Sequence, residues 1–257
     1  MELSCCLWAL TANQSHQTAI AQVAELGFGV IDVQPQTVEP AQVSAAGLRV
    51  SCVALSHGAP EDCSLDDEDA SSLSRALSHA YEALDYASTL GATTGYVVPR
   101  RGGGVASLPR YAGALALVAD RAADHGIRLG VEHFPGTALP SVAVTLGFLR
   151  EVDHPNLALL FDIGHAQMSR ENPAAAIAAA GNLLSYVHLD DNDGVEDLHQ
   201  ALTDGIMTRD SLAHALQAVE TSPYDGPASL ELNPQLPEPA AALAGGRALF
   251  YDVASSR

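Results

Sequence analysis

The chain contains no lysine: all 12 basic residues among its 257 are arginine. That absence excludes Schiff-base catalysis by a lysine, lysine-bound pyridoxal phosphate and a Walker-type phosphate lysine. Carbonyl chemistry here must use metals, carboxylates or histidines. Positive charge is scarce altogether, with 31 acidic residues and a net charge of −19. Such a chain repels phosphate backbones at long range, so no nucleic-acid partner is expected. Long apolar runs are missing too, and no membrane partner is expected. There are only four cysteines, Cys5, Cys6, Cys52 and Cys63, and their spacing fits no zinc knuckle. The opening MELSCCLWAL lacks a basic n-region and carries Glu2, which makes a poor signal peptide. Buried thiols in a reducing cytoplasm are the simplest reading.

What is present is a large apolar fraction, 47%, enough to bury a sizeable core. Short β-rich runs alternate with helical patterns. Eight strands are expected, over 3–9, 28–34, 48–55, 94–99, 127–134, 157–163, 184–190 and 227–233. Helices are expected over 16–27, 71–92 and 111–126, with Gly27, Gly91 and Gly126 at their ends. A further helix opens with Asn172 as cap and Pro173 in its first turn, and stops at Gly181. Eight β/α units predict an α/β fold, a (β/α)8 barrel formed by residues 1–257 as a single domain. A doubly wound sheet is the rival, but its glycine-rich first turn is absent.

In such a barrel all strand C-termini share one face, where chemistry is built. The fifth strand ends in Glu132 and His133, the sixth in Asp162 with His165 just beyond, the seventh in His188, the eighth in Glu231. Alone, Asp162 reads as a helix cap or a solvated group. Together, three carboxylates without a cation would repel one another and raise each other's pKa. Glu132, Asp162, His188 and Glu231 are therefore expected to hold one divalent metal ion, Mn, Mg, Co or Zn. His133 directly follows a ligand candidate, so alternation turns it away from the barrel interior as a structural residue.

These segments resemble the xylose-isomerase-like TIM-barrel superfamily, which groups sugar isomerases and epimerases with AP endonucleases of family 2. The resemblance rests on ALDYASTLGATTGYVVP, GVEHFPG, HPNLALLFDIGHA, YVHLDDN and YDGPASLEL. It implies that Glu132, Asp162, His188 and Glu231 bind the metal and that His165 lies beside substrate. The arginine that ketose epimerases of the family carry six residues after the seventh-strand histidine is replaced by Gly194, and their Gly-Glu-Gly turn by Thr203-Asp204-Gly205. Asp197 and His199 resemble further metal ligands of the nuclease branch, as does His57, but that branch's fourth-strand histidine is missing at Val98-Pro99.

The expected activity is metal-dependent isomerisation or epimerisation of a sugar, ketose or keto-polyol. Glu132 and Glu231 exchange a proton through an ene-diolate, and His165 orients a substrate oxygen. The same enolate can expel a β-hydroxyl, giving a dehydratase of the inosose or dehydroshikimate type, with His199 or an acid in the 190–204 loop protonating the leaving group. A metal- or sugar-binding protein without catalysis is a third reading. Arg100 and Arg101, in PRRGGG after the fourth strand, either hold an anionic substrate group or belong to a mobile surface loop. Trp8 stacks on a sugar face or plugs the barrel. His57 and Asp32, at the third and second strand ends, line the pocket or serve as caps. A homo-oligomer is compatible with the sequence, which does not fix the assembly.

Overall fold

Strand residues face alternately the surrounding helices and the barrel interior, so the chain builds an outer and an inner layer, the inner one holding buried polar residues such as Ser4, Asp32 and Ser51. In the computed structural model, which describes residues 1–256, the strands close into one parallel barrel in sequence order. They are β1 (Leu3–Cys6), β2 (Val30–Val33), β3 (Arg49–Ala54), β4 (Thr94–Val97), β5 (Arg128–Glu132), β6 (Leu157–Asp162), β7 (Leu184–Leu189) and β8 (Ala228–Leu230). The ring is closed by Leu3, Ser4 and Cys5 pairing with Ala228, Ser229 and Leu230.

Around it run α1 (His16–Glu25), α2 (Pro40–Ala45), α3 (Ala70–Thr89), α4 (Leu108–Asp124), α5 (Val142–Val152), α6 (Ile163–Met168), α7 (Pro173–Ala180), α8 (Arg209–Thr221) and α9 (Pro239–Ser255). Side-chain caps start several of them: Ser15, Asp69, Ser141, Asn172 and Thr208 each accept a backbone N–H of the first turn. Each such cap contributes about 1 kcal/mol. Gly27, Gly91 and Gly126 stop α1, α3 and α4 at φ of 82°, 69° and 70°, a conformation costly for any residue with a Cβ.

The outer core packs Phe161, Leu159, Leu115, Leu216 and Phe250 between strands and helices. The inner one holds Cys52, Tyr96, Leu160 and Tyr186, with Trp8 against it.

The expected eight strands are all present, but shorter. The first stops at Cys6, and Leu7–Leu10 forms a 3-10 helix, so Trp8 stands on that turn instead of a strand. Thr11 closes the turn by donating its N–H to the Trp8 carbonyl. His165, just beyond the strand, lies in α6, because Asp162 caps that helix directly at the strand end. Cys5, Cys6 and Cys52 are buried thiols; Cys63 is half-buried, its sulfur accepting the Nε–H of Arg75. Among the described residues no helix is long and apolar enough to cross a membrane.

Candidate active site

Parallel pairing places the polar strand ends on adjacent rungs. Asp162 and His188 are direct partners across β6 and β7. Glu132 pairs with Leu160 at the end of β5. Glu231 lies one residue past β8, where its N–H donates to the Leu189 carbonyl at 3.1 Å and so extends the ladder. Neighbouring strands are about 4.8 Å apart, and one ligand atom from each of Glu132, Asp162, His188 and Glu231 lies within 4.8 Å of every other.

All four are buried or nearly so. His188 Nδ1 approaches Glu231 Oε2 at 2.5 Å and Glu132 Oε1 at 3.9 Å. Neither approach has hydrogen-bonding geometry, so Nδ1 is left without a hydrogen bond although it is buried. Asp162 divides its two oxygens. Oδ1 accepts the His165 N–H at 2.7 Å, capping α6, while Oδ2 is buried without a partner. Capping and ligation are thus compatible in one side chain. Three carboxylates, one imidazole and two orphaned ligand atoms fit a divalent cation.

Electrostatics point the same way. Burial, and then Asp190, push the Asp162 carboxyl up to about 8. Burial opposes the charge on Glu231, but His188 outweighs it and holds the acid down at about 2. Burial likewise opposes a charge on His188, which Glu231 and its neighbours raise well above the ordinary imidazole range.

A second cluster borders the first. His165 Nδ1 faces the His133 carbonyl at 3.1 Å and Nε2 faces Asp197 Oδ1 at 3.2 Å. Both partners only accept, so both ring nitrogens carry hydrogen and the ring is a cation. Burial opposes that charge, but Asp162, Asp197 and Glu132 prevail and raise His165 to about 10. His199 stands between Asp190 Oδ2 at 2.6 Å and Asp197 Oδ1 at 3.0 Å. Burial opposes its charge as well, yet Asp190 and Asp197 hold it well above the ordinary range. Asp197 is depressed below the carboxylate range, because hydrogen bonds from His165 and His199 overcome its burial. The ligand atoms of His165, Asp197 and His199 also gather within 4.8 Å. In that group two imidazole cations face one carboxylate, whereas the first has one imidazole for three carboxylates.

His133 is buried beside Phe161, and its Nε2 accepts the Asp162 backbone N–H at 3.1 Å, so it steadies the strand end. In YVHLDDNDG, Asp191 accepts backbone N–H groups of Asn192, Gly205 and Met207, and Asn192 Oδ1 those of Leu198 and His199. These two build the loop that presents His199. Asp190 faces His199 and is completely buried. Alternation from His188 puts Asp190 on the inner side of the strand end.

Trp8 and His57 line a cavity of about 260 Å³ with Gln34, Ser56, Tyr96 and Glu231. Arg100 and Arg101 are not free there. Arg100 Nε pairs with buried Asp66 at 3.2 Å. Arg101 lies 4.5 Å over the Phe134 ring and 3.5 Å from Asp197. Their loop is tied down as well, since Gly102 donates its N–H to the Gly136 carbonyl. Asp32 neither lines that cavity nor caps a helix; it lies fully buried in the barrel interior.

Known proteins show the same architecture. An uncharacterized protein of Methanocaldococcus jannaschii is 30% identical over 123 residues, covering 46% of this chain and 41% of its own length. An L-ribulose 3-epimerase of a Methylomonas species is 34% identical over 79 residues, covering 30% of this chain and 28% of its own. The aligned stretches thus span less than half of either relative. Among solved structures, a D-tagatose 3-epimerase-like protein superposes with a TM-score of 0.81 at 20% identity, covering 100% of this chain and 99% of that one. The sequence profile of the xylose isomerase-like TIM barrel matches residues 20–251. The chain belongs to that family.

Proposed function

We propose that the chain is a divalent-metal-dependent isomerase or epimerase acting on a sugar, ketose or keto-polyol by proton transfer next to a carbonyl. The observation that carries this reading is the approach of two carboxylates, Glu132 and Glu231, to His188 Nδ1 from β5 and β8, with Glu231 on the wall of a sugar-sized cavity. The partial likeness to an L-ribulose 3-epimerase supports it.

Glu132, Asp162, His188 and Glu231 would hold the ion. When bound, the ion supplies a Lewis acid that polarises the ketone and stabilises charge on its oxygen. The chain's own residues do the rest. Glu231, ionised by its histidine neighbour, takes a proton from the carbon beside the carbonyl, and Glu132 returns one at the same or the adjacent carbon. His165, a cation with both N–H groups directed, orients a substrate oxygen at the cost of loosening its bond to Asp197. Trp8 offers an apolar face to the sugar ring. A second reading, loss of water from the same enolate, is favoured by the protonated His199 at the rim, which has a proton to give a leaving hydroxyl. Deuterium wash-in from heavy water, with a panel of ketoses, keto-inositols and keto-acids, tests both. Exchange without water loss supports isomerisation, water loss supports the second reading, and no exchange with a metal-free protein would leave only binding.

Ion capture requires Asp162 ionised and His188 neutral, so it releases protons and tightens with pH, by roughly tenfold per pH unit per proton released. The sign for stability is opposite in the ion-free protein. Asp162, raised to about 8, binds more protons folded than unfolded between its ordinary value and 8, and stability falls as pH rises through that window. His165, raised to about 10, extends the fall above the ordinary imidazole value. The gain in Tm on adding a fixed Mn²⁺ concentration is therefore expected to be larger near pH 8 than near pH 6 in a calorimetric scan. Equal gains would show that no proton is displaced.

Because both mouth arginines already face carboxylates, the proposed substrate is uncharged and not phosphorylated. Arg100→Ala is expected to cost about 1–2 kcal/mol of stability, by stripping buried Asp66 of a partner, and to leave exchange of a neutral ketose intact. A loss confined to phosphorylated ketoses would restore the anionic reading.

A further inference from the structure

The barrel interior beneath the four donors is polar, where barrels ordinarily pack branched aliphatic side chains. At its centre is Asp32 of β2, with no exposed surface. Its Oδ1 accepts from three hydroxyls: Ser4 at 3.0 Å, Ser51 at 2.6 Å and Tyr186 at 2.5 Å. Its Oδ2 is served differently. The Cys6 thiol, a weak donor, stands 3.7 Å away, and His188 Nε2 faces the same oxygen, also at 3.7 Å. A buried carboxylate is costly unless both oxygens are satisfied, and here one oxygen has three donors while the other looks at an imidazole.

The orientation of His188 is fixed from both sides. Tyr96 meets the ring edge-on at 5.3 Å and Tyr186 at 5.6 Å, with interplanar angles of 87° and 90°. Nδ1 is thereby directed at Glu231 and Glu132, and Nε2 at Asp32. A ring nitrogen that ligates a cation carries no hydrogen, so the proton must reside on the other nitrogen. Imidazole ligands are commonly held in that tautomer by an acceptor behind them.

We propose that Asp32 is the positioning carboxylate of this centre: its Oδ2 accepts the Nε2–H of His188 and fixes the tautomer that leaves Nδ1 free to ligate. The inference rests on reading Glu132, Asp162, His188 and Glu231 as the metal site. It assigns a second job to the hydroxyl cluster. Ser4, Ser51 and Tyr186 saturate Oδ1 and so turn Oδ2 toward the histidine. In the ion-free state the pair stands just beyond hydrogen-bond length, and capture of the ion is expected to draw it in.

The test is Mn²⁺ affinity of the full chain, measured by calorimetry and paramagnetic resonance, for wild type, Asp32→Asn and Glu231→Gln. Asp32→Asn keeps the shape but loses the charged acceptor, and a weakening of roughly 10–100-fold is expected. If Asp32→Asn binds as tightly as wild type while Glu231→Gln loses binding, Asp32 only fills the barrel and the proposal is overturned. If Glu231→Gln also binds normally, the metal site itself is misplaced. Nitrogen-15 spectra of the Zn²⁺-loaded wild-type protein need no variant to fold. They are expected to show His188 protonated at Nε2 with a strongly hydrogen-bonded proton; a proton on Nδ1 would overturn the proposal.

Discussion

Glu132→Gln is expected to reduce substrate-dependent deuterium exchange by about 10²–10⁴-fold, the range for losing a positioned acid or base. The amide keeps the length of the side chain and one oxygen donor but has no acidic proton to return. Glu132 Oε1 is 3.9 Å from His188 Nδ1, against 2.5 Å for Glu231 Oε2. Ion content should therefore fall less in Glu132→Gln than in Glu231→Gln. Metal analysis of both purified variants beside the exchange assay separates ligation from proton transfer. A metal-loaded Glu132→Gln that exchanged at the wild-type rate would remove Glu132 from the mechanism.

That such a prediction can be framed reflects what period-two alternation and strand order convey. Glu132, Asp162, His188 and Glu231 could be placed on one face because each closes an apolar run, and parallel barrels put all run ends at one rim. Strand lengths were less legible. LSCCLWA reads as one run, yet only Leu3–Cys6 is strand, because a strand lasts only as long as its neighbours can pair with it, and β8 offers β1 just three residues. Asp32 looked like a rim residue for the same reason. Its cluster joins Ser4, Ser51 and Tyr186 from three other strands, a long-range coincidence that no local pattern encodes. The arginines of PRRGGG stood out by charge, but their partners Asp66 and Asp197 come from other loops.

Gly164→Ala should damage both stability and the site. Gly164 follows the strand-ending Asp162 by two residues, within FDIGHA. Its conformation is ordinary; the space is not. A Cβ there would overlap Asn192 Nδ2 and Asp190 Oδ1 and stand 2.8 Å from Asp190 Oδ2. Asn192 in turn anchors the loop carrying His199 through its contacts with the N–H groups of Leu198 and His199. Forcing one methyl into packed surroundings costs about 1–3 kcal/mol, a fall in Tm of roughly 2–4 °C per kcal/mol for a chain of this size. The displaced loop should also disturb Asp190, the neighbour that raises Asp162, so Mn²⁺ affinity is expected to change with it. Thermal unfolding with and without Mn²⁺ measures both effects. A variant with unaltered Tm and affinity would mean that the two loops can separate freely at this contact.

The closure of the ring has a kinetic consequence. Glu231 immediately follows the rung at which Leu230 pairs with Cys5, joining opposite ends of the chain. Contacts between such distant residues carry the heaviest loop-closure cost and tend to form late in folding. The fourth donor therefore arrives only when β8 docks between β7 and β1. Cation uptake during refolding, followed by stopped flow, should lag the recovery of helical signal and report when the barrel closes.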